Sequence, residues 1–309
     1  MSLDNLRNQI SQFLRFDQTD EAVSFEKFEV FEEASYRRIR ITFSSQEGDL
    51  IPAFLLLPRM EGPLAAVLIH HQHNSQRNLG KSEVCGLEGD PLQFFGPELA
   101  SRGIAVLAPD SICFEDRRKN RKGAQPDEPA DMEQHYNEMC YRLLCGDTLM
   151  RKVLSDSARG ISLLRTHPMI DTQRIGILGH SYGGNTVLFH GALDDRIRFA
   201  CASGAACTYK HRMTHQIGIE MAEVIPGFVT RFDIPDLVAC FAPRHLLLVS
   251  ATEDKYSQDA DRIVAVAHEK CATVGVTLHI EHLRYEGGHA LNQERYDSIV
   301  NWIAGHAGR

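Results

Sequence analysis

The chain has 309 residues, 43% of them hydrophobic and 24% charged, with a formal net charge of −8 at pH 7. These proportions describe a globular protein large enough to bury a core without metal or disulfide staples. The acidic balance excludes the basic face that nucleic-acid binding needs, and no run approaches the roughly 20 apolar residues of a membrane span.

No basic stretch followed by an apolar run marks a secretory signal at the N-terminus. The eight cysteines include no Cys-x-x-Cys pair, so they read as reduced thiols of a cytoplasmic protein. In chain order, Leu3, Leu6, Ile10, Phe13 and Leu14 fall at helical spacing, which makes residues 1–24 a helical extension. Phe28 to Phe31, Arg37 to Phe43 and Leu50 to Leu57 read as strands. Their connections are too short for a parallel crossover, so they are expected to pair antiparallel.

After Pro63 the rhythm changes. Ala65 to Ile69, Ile104 to Leu107, Arg174 to Leu178, Phe199 to Ala202, Leu246 to Val249 and Leu278 to Leu283 are short apolar runs. Helical stretches such as 91–101 and 291–304 lie between them. This alternation predicts parallel βαβ units covered on both faces. The expected architecture is a single α/β domain over 1–309, with a twisted, mostly parallel sheet, antiparallel N-terminal strands and helices on both faces. Two polar excursions, 111–137 and 205–237, leave the C-terminal ends of strands, where open α/β sheets bind ligands. They read as pocket walls or a partial lid. The basic cluster Arg117 to Lys122 reads as a solvated loop beside Glu115 and Asp116. Within it, Arg117 and Arg118 are the candidates to meet a carboxylate or sugar on a substrate.

The strongest chemical signal is Gly179-His180-Ser181-Tyr182-Gly183-Gly184, between a predicted strand and a helix expected to begin near Asn185. A sharp strand-to-helix turn exposes a serine hydroxyl near a helix N-terminus, and flanking glycines remove side chains that would clash there. A serine is a poor nucleophile until a base removes its proton. In this arrangement the acid and then the histidine follow in the chain. His289, on the Gly287-Gly288 loop after the last strand, is the expected base. Asp254, after the strand ending at Ser250, is preferred as the acid over its neighbour Glu253, because a shorter carrier fixes the imidazole tautomer more rigidly. A tetrahedral oxyanion needs main-chain donors. Tyr182 supplies one, and the loop His70-His71-Gln72-His73-Asn74 the other, with Gln72 preferred to His71. The histidines of that loop also invite a metal reading. Neighbours on an extended segment point to opposite faces, so only His71 and His73 would share an ion, and no conventionally spaced further ligand accompanies them.

These residues resemble the α/β-hydrolase superfamily. Ile51 to Pro58, Val106 to Asp110, Asp171 to Gly184 and Ala242 to Leu248, read on through Asp254, are similar to its dienelactone-hydrolase-like and acetyl-xylan-esterase-like branch. The likeness runs over roughly residues 25–305. Relatives often carry His-Gly-x-Gly where this chain has His70 to Asn74, and the serine nucleophile points to the esterase side of the branch. The resemblance implies a cofactor-free, metal-free hydrolase of a small-molecule carboxylic ester, working through an acyl-enzyme on Ser181. Two rival readings are a serine peptidase of the prolyl-oligopeptidase type and a noncatalytic ligand receptor on the same fold. The former lacks an evident gating domain or amine-binding carboxylates, and the latter usually loses a member of the triad. No oligomeric state is indicated.

Overall fold

A computed structural model describes residues 2–18, 21–119 and 124–308. Nine strands form one sheet: β1 (Phe25–Glu32), β2 (Tyr36–Ser44), β3 (Leu50–Pro58), β4 (Leu64–His70), β5 (Ala105–Pro109), β6 (Ile170–His180), β7 (Phe199–Ser203), β8 (His245–Ala251) and β9 (His279–Tyr285). Their order is β1-β2-β3-β5-β4-β6-β7-β8-β9. The pairings β1·β2, β2·β3 and β3·β5 are antiparallel, and every pairing from β5 through β9 is parallel. This is the predicted architecture, with every strand running one to four residues further at one end or both, while β5 and β9 begin one residue later than expected.

Apolar content explains the middle of the sheet. All five residues of β5 and of β7 are buried, as is all of β4 except His70, the pattern of strands covered on both faces. One face carries Leu68, Leu107 and Ile177, packed with the helices Leu149–Thr166 and Tyr182–Leu193. The other carries Val67, Val106 and Leu178, packed with the helices Phe95–Ser101 and Gln293–Ala307. At the antiparallel end β1 is nearly all exposed. Glu26, Lys27, Glu29 and Glu32 blunt this edge against pairing with another chain.

The N-terminal helix Leu3–Leu14 is part of the core rather than an appendage. Ser2 caps it by accepting the Asn5 N–H at 3.2 Å, a favoured N-cap arrangement. Leu3, Leu6, Ile10 and Leu14 are buried on one face, and Arg7 donates to the carbonyls of Cys240 (2.8 Å) and Ala192 (3.2 Å).

Three expectations need correction. The polar excursion 111–137 is not a loop throughout, because the helix Glu128–Leu144 occupies its second half and continues beyond it. Hydrophobic periodicity hides this helix because its buried face is polar. Asp131 and His135 are the buried residues, held by Arg118 (2.6 Å) and Arg77 (3.0 Å), whereas Met132, Tyr136 and Leu144 face solvent. The excursion 205–237 likewise folds into the short helices Tyr209–Thr214 and Ile234–Ala239 joined by single 3₁₀ turns. Nor are Arg117 and Arg118 solvated. Arg117 is ion-paired with Asp49 (2.5 Å) and Asp156 (2.9 Å), and Arg118 is fully buried on Asp131. These pairs also commit both guanidinium groups within the protein, so neither is the free substrate contact expected of it. Asn120 to Lys122, the rest of the basic cluster, lie outside the described residues.

Ile10 has no exposed surface, so Ile10→Ala should cost about 2–5 kcal/mol in urea denaturation, by lost transfer energy and the cavity left behind. Exposed Asn8→Ala should stay within about 0.5 kcal/mol of the parent. Equal effects would show that this helix is not docked.

Candidate active site

Strand register brings the site together. His70 of β4 is level with Gly179 of β6, His180 with Ser203 of β7, Ser203 with Val249 of β8, and Ala251 with Tyr285 of β9. Parallel strands that end level send their following loops to one edge. Those loops begin with His71-Gln72, Ser181, Gly204, Thr252 to Asp254, and Glu286 to His289.

At the centre, Ser181 sits between β6 and the helix Tyr182–Leu193 with φ +56° and ψ −119°. Side chains rarely tolerate this backbone conformation, which costs about 1–3 kcal/mol and persists only where surroundings enforce it. The Ser181 N–H donates to the Ser203 carbonyl at 2.8 Å, and the Asn185 N–H donates to the Ser181 carbonyl at 2.9 Å. The helix therefore starts at Tyr182, not near Asn185, and the glycine pair lies inside its first turn. Space dictates those glycines. A Cβ on Gly183 would stand 2.2 Å from the His70 carbonyl oxygen, and one on Gly179 would stand 2.3 Å from the main chain of Gly183.

The three separated side chains meet. His289 Nε2 lies 2.8 Å from Ser181 Oγ, and His289 Nδ1 lies 2.9 Å from Asp254 Oδ1. Asp254 is 2% exposed. Burial alone would raise its carboxyl, but bonds from His289, Ser257 Oγ (2.7 Å) and the Tyr256 N–H (3.0 Å) outweigh it and hold the group below its ordinary value. Its neighbour Glu253 is exposed, and its N–H ties the loop to the Gly287 carbonyl at 2.9 Å. Tyr256 packs edge-on against the His289 ring at 5.0 Å. His180 lies beside that ring, also at 5.0 Å, and burial pushes it down to about 3. A neutral imidazole thus borders the relay.

The loop after β4 crosses the first turn of the elbow helix, in contact with Gly183. His71 is buried and pushed down to about 4, chiefly by desolvation. Its Nδ1 donates to the Gln72 carbonyl at 2.7 Å while its Nε2 accepts the Ser111 N–H at 3.1 Å, so this ring orients the peptide at Gln72. The Gln72 side chain donates to Glu83 at 3.1 Å. Tyr182 opens the helix, so its N–H has no intrahelical acceptor. Its hydroxyl bonds Ser111 Oγ at 2.7 Å and its ring stacks on Phe114 at 5.2 Å. The neighbouring histidines diverge: His70 meets Ser157 (2.9 Å), and His73 meets Glu220 (2.5 Å) from the 205–237 excursion. Among the described residues, the group with metal-ligand spacing is Asp110, Glu115 and Asp116. The Lys81 ammonium fills its centre at 2.5–2.9 Å.

Sequence reasoning missed Arg295. This buried guanidinium, in the first turn of the final helix, donates to the carbonyls of Glu286 (2.8 Å), Gly288 (2.7 Å) and Ala290 (3.0 Å). It grips the His289 loop on both sides of the imidazole. An arginine whose partners are main-chain carbonyls leaves no pattern of residue types to recognise. The legible signal nearby was Asn292, which caps the same helix by accepting the Arg295 N–H at 2.9 Å.

Sheet order, elbow and loop placement define the α/β-hydrolase fold. Among solved structures, an acetyl-xylan-esterase-named protein (BF1801) from Bacteroides fragilis NCTC 9343 superposes with a TM-score of 0.77 at 17% identity, over 98% of this chain and 86% of that one. Acetyl xylan esterase 1 from Thermoanaerobacterium sp. JW/SL YS485 superposes at 0.64 and 16%, over 98% and 93%. At such identities the likeness is one of fold. In sequence, the chain is 30% identical to the hydrolase-named protein YtaP of Bacillus subtilis (strain 168) over 204 residues, 64% of each chain. The family profile described as acetyl xylan esterase (AXE1) matches residues 11–223. The chain belongs to that family. The match includes Ser181 and the 70–74 loop and ends ahead of Asp254 and His289.

Removing the Arg295 guanidinium leaves three carbonyls without their donor. Arg295→Met should lower stability by about 2–4 kcal/mol and accelerate amide exchange at 286–290 ahead of the sheet. Unchanged exchange in that loop would show that the arginine does not hold it.

Proposed function

We propose that the chain is a serine carboxylic ester hydrolase that forms an acyl-enzyme on Ser181, with an acetyl ester of a carbohydrate as its substrate class. The observation that carries this reading is the unbroken relay Ser181–His289–Asp254, with bonds of 2.8 and 2.9 Å, presented on a turn strained at the serine. Family membership supports the ester and the acetyl group. Neither a prolyl-oligopeptidase-type peptidase nor a noncatalytic receptor gains support from the family or the site.

His289 Nε2 takes the proton of Ser181 Oγ as that oxygen attacks the ester carbonyl. Asp254 accepts from Nδ1–H, fixes the tautomer and stabilises the imidazolium that forms. Charge developing on the carbonyl oxygen falls to the main-chain N–H groups of Tyr182 and Gln72. His289 then returns its proton to the departing alkoxide, and water repeats the sequence on the acyl-enzyme. No cofactor enters this scheme. Because the Asp254 carboxyl is held low, it stays ionised at neutral pH. The whole chain acts as one catalytic unit, the buried N-terminal helix included. All eight cysteines are free and six are buried, which supports a reducing, cytoplasmic setting. Among the described residues no helix is long and apolar enough to cross a membrane.

Ser181→Ala should abolish p-nitrophenyl acetate hydrolysis and fluorophosphonate labelling with little change in melting temperature. Labelling that survives the substitution would move the nucleophile elsewhere.

Asp254→Asn should lower kcat by something like 10⁴-fold, since the amide cannot hold the same tautomer. Exposed Glu253→Gln should cost about tenfold or less. The reverse ranking in steady-state kinetics would transfer the acid role to Glu253.

A further inference from the structure

A cavity of about 1100 Å³ opens at the same edge of the sheet as Ser181. Thr42 of β2, Leu50 and Pro52 of β3, and Ile112 and Cys113 after β5 line it. In the order β3-β5-β4-β6 the cavity stands three strands from the elbow, roughly 15 Å at the usual spacing between strands. A single loop separates the two. Ser111 bonds the Tyr182 hydroxyl on the elbow side, while Ile112 and Cys113 face the cavity.

The cavity's charge opposes that of the chain. Six basic and four acidic side chains line it, although the protein carries −8 overall. The deep cations are spent, since Arg117 and Lys152 both pair with Asp49. Two cations at the rim are held less firmly. Lys119 is exposed and has no ion pair among the described residues. Arg40 is 46% exposed and reaches its carboxylates only at 3.5 Å (Asp116) and 3.9 Å (Glu29). Beside them, Phe28 is 57% exposed where the β1·β2 register slips between Lys27 and Glu29.

We propose that this cavity binds an acidic saccharide, namely the distal part of an oligosaccharide ester whose scissile acetyl lies at Ser181; this rests on the esterase reading. Each sugar hydroxyl both donates and accepts, which suits a lining of mixed guanidinium and carboxylate groups. A phosphate-rich ligand would instead meet four carboxylates at close range. The exposed Phe28 ring supplies an apolar surface for a pyranose face, and Lys119 with Arg40 supplies the partner for one carboxylate. The distance to Ser181 calls for an oligomer rather than a single sugar.

The test is calorimetric titration of the full-length Ser181→Ala protein with short xylo-oligosaccharides, with and without a glucuronic acid branch. The acidic oligomer should bind about fivefold more tightly, the size expected of partly exposed ion pairs. The Arg40→Gln/Lys119→Gln variant should lose that preference, and Phe28→Ala should weaken both ligands. In an otherwise native background these substitutions should leave p-nitrophenyl acetate turnover unchanged. Equal binding of the two oligomers, or a preference that survives the double variant, overturns the proposal. Absence of p-nitrophenyl acetate turnover in the native protein would instead strike the esterase reading, while the binding result, measured without catalysis, would stand by itself.

Discussion

Main chain meets main chain at Gly183, and much of the site is built outward from that contact. The His70 carbonyl occupies the space in which any side chain at position 183 would stand. The loop after β4 is thereby pressed against the first turn of the elbow helix. That approach brings the peptides at His71 and Gln72 towards the N–H groups opening the helix, and it fixes the direction in which the chain leaves β6. The strain at Ser181 is sustained by the same geometry. Sheet register below and the crossing loop above leave the serine little freedom to relax, which holds Ser181 Oγ at 2.8 Å from His289 Nε2.

Outside the relay, charge does structural work of an unusual kind for a chain of ordinary composition. Lys81 gathers three carboxylates, Arg118 pairs with Asp131 in full burial, and Arg117 bridges Asp49 and Asp156. All three cations hold the stretch after β5 that forms the partition beside Tyr182. Removing one partner of such a buried pair strands the other without water, so these contacts fix one arrangement of the wall even where their net contribution to stability is small.

The parallel sheet, and the three side chains Ser181, His289 and Asp254 that the structure brings within hydrogen-bond distance of one another, were legible in the sequence because each rests on a local pattern. Apolar runs mark strands buried on both faces, glycines around Ser181 mark a turn, and a Gly-Gly-His after the last strand marks a loop able to reach back. The acid was narrowed to two neighbours, of which the structure buries Asp254 and exposes Glu253. The failures share a cause. The helix Glu128–Leu144 turns its polar residues inward, Arg117 and Arg118 look like a solvated run until Asp49, Asp156 and Asp131 are brought to them, and Arg295 acts only on carbonyls. In each case the decisive partner is distant in sequence or carries no side-chain identity, and periodicity reports neither.

The inverted helix Glu128–Leu144 has a thermal consequence. The heat-capacity change of unfolding follows apolar area withdrawn from water, and this helix withdraws little, since its buried residues are Asp131 and His135. Its docking therefore escapes much of the weakening that cooling imposes on hydrophobic contacts. The rest of the fold, from the N-terminal helix to the sheet core, depends on those contacts. Cold should loosen the apolar layers before it loosens the partition beside the elbow, whereas the desolvation cost of paired charges falls as temperature rises. The wall and the core of this protein thus answer to different parts of the temperature scale.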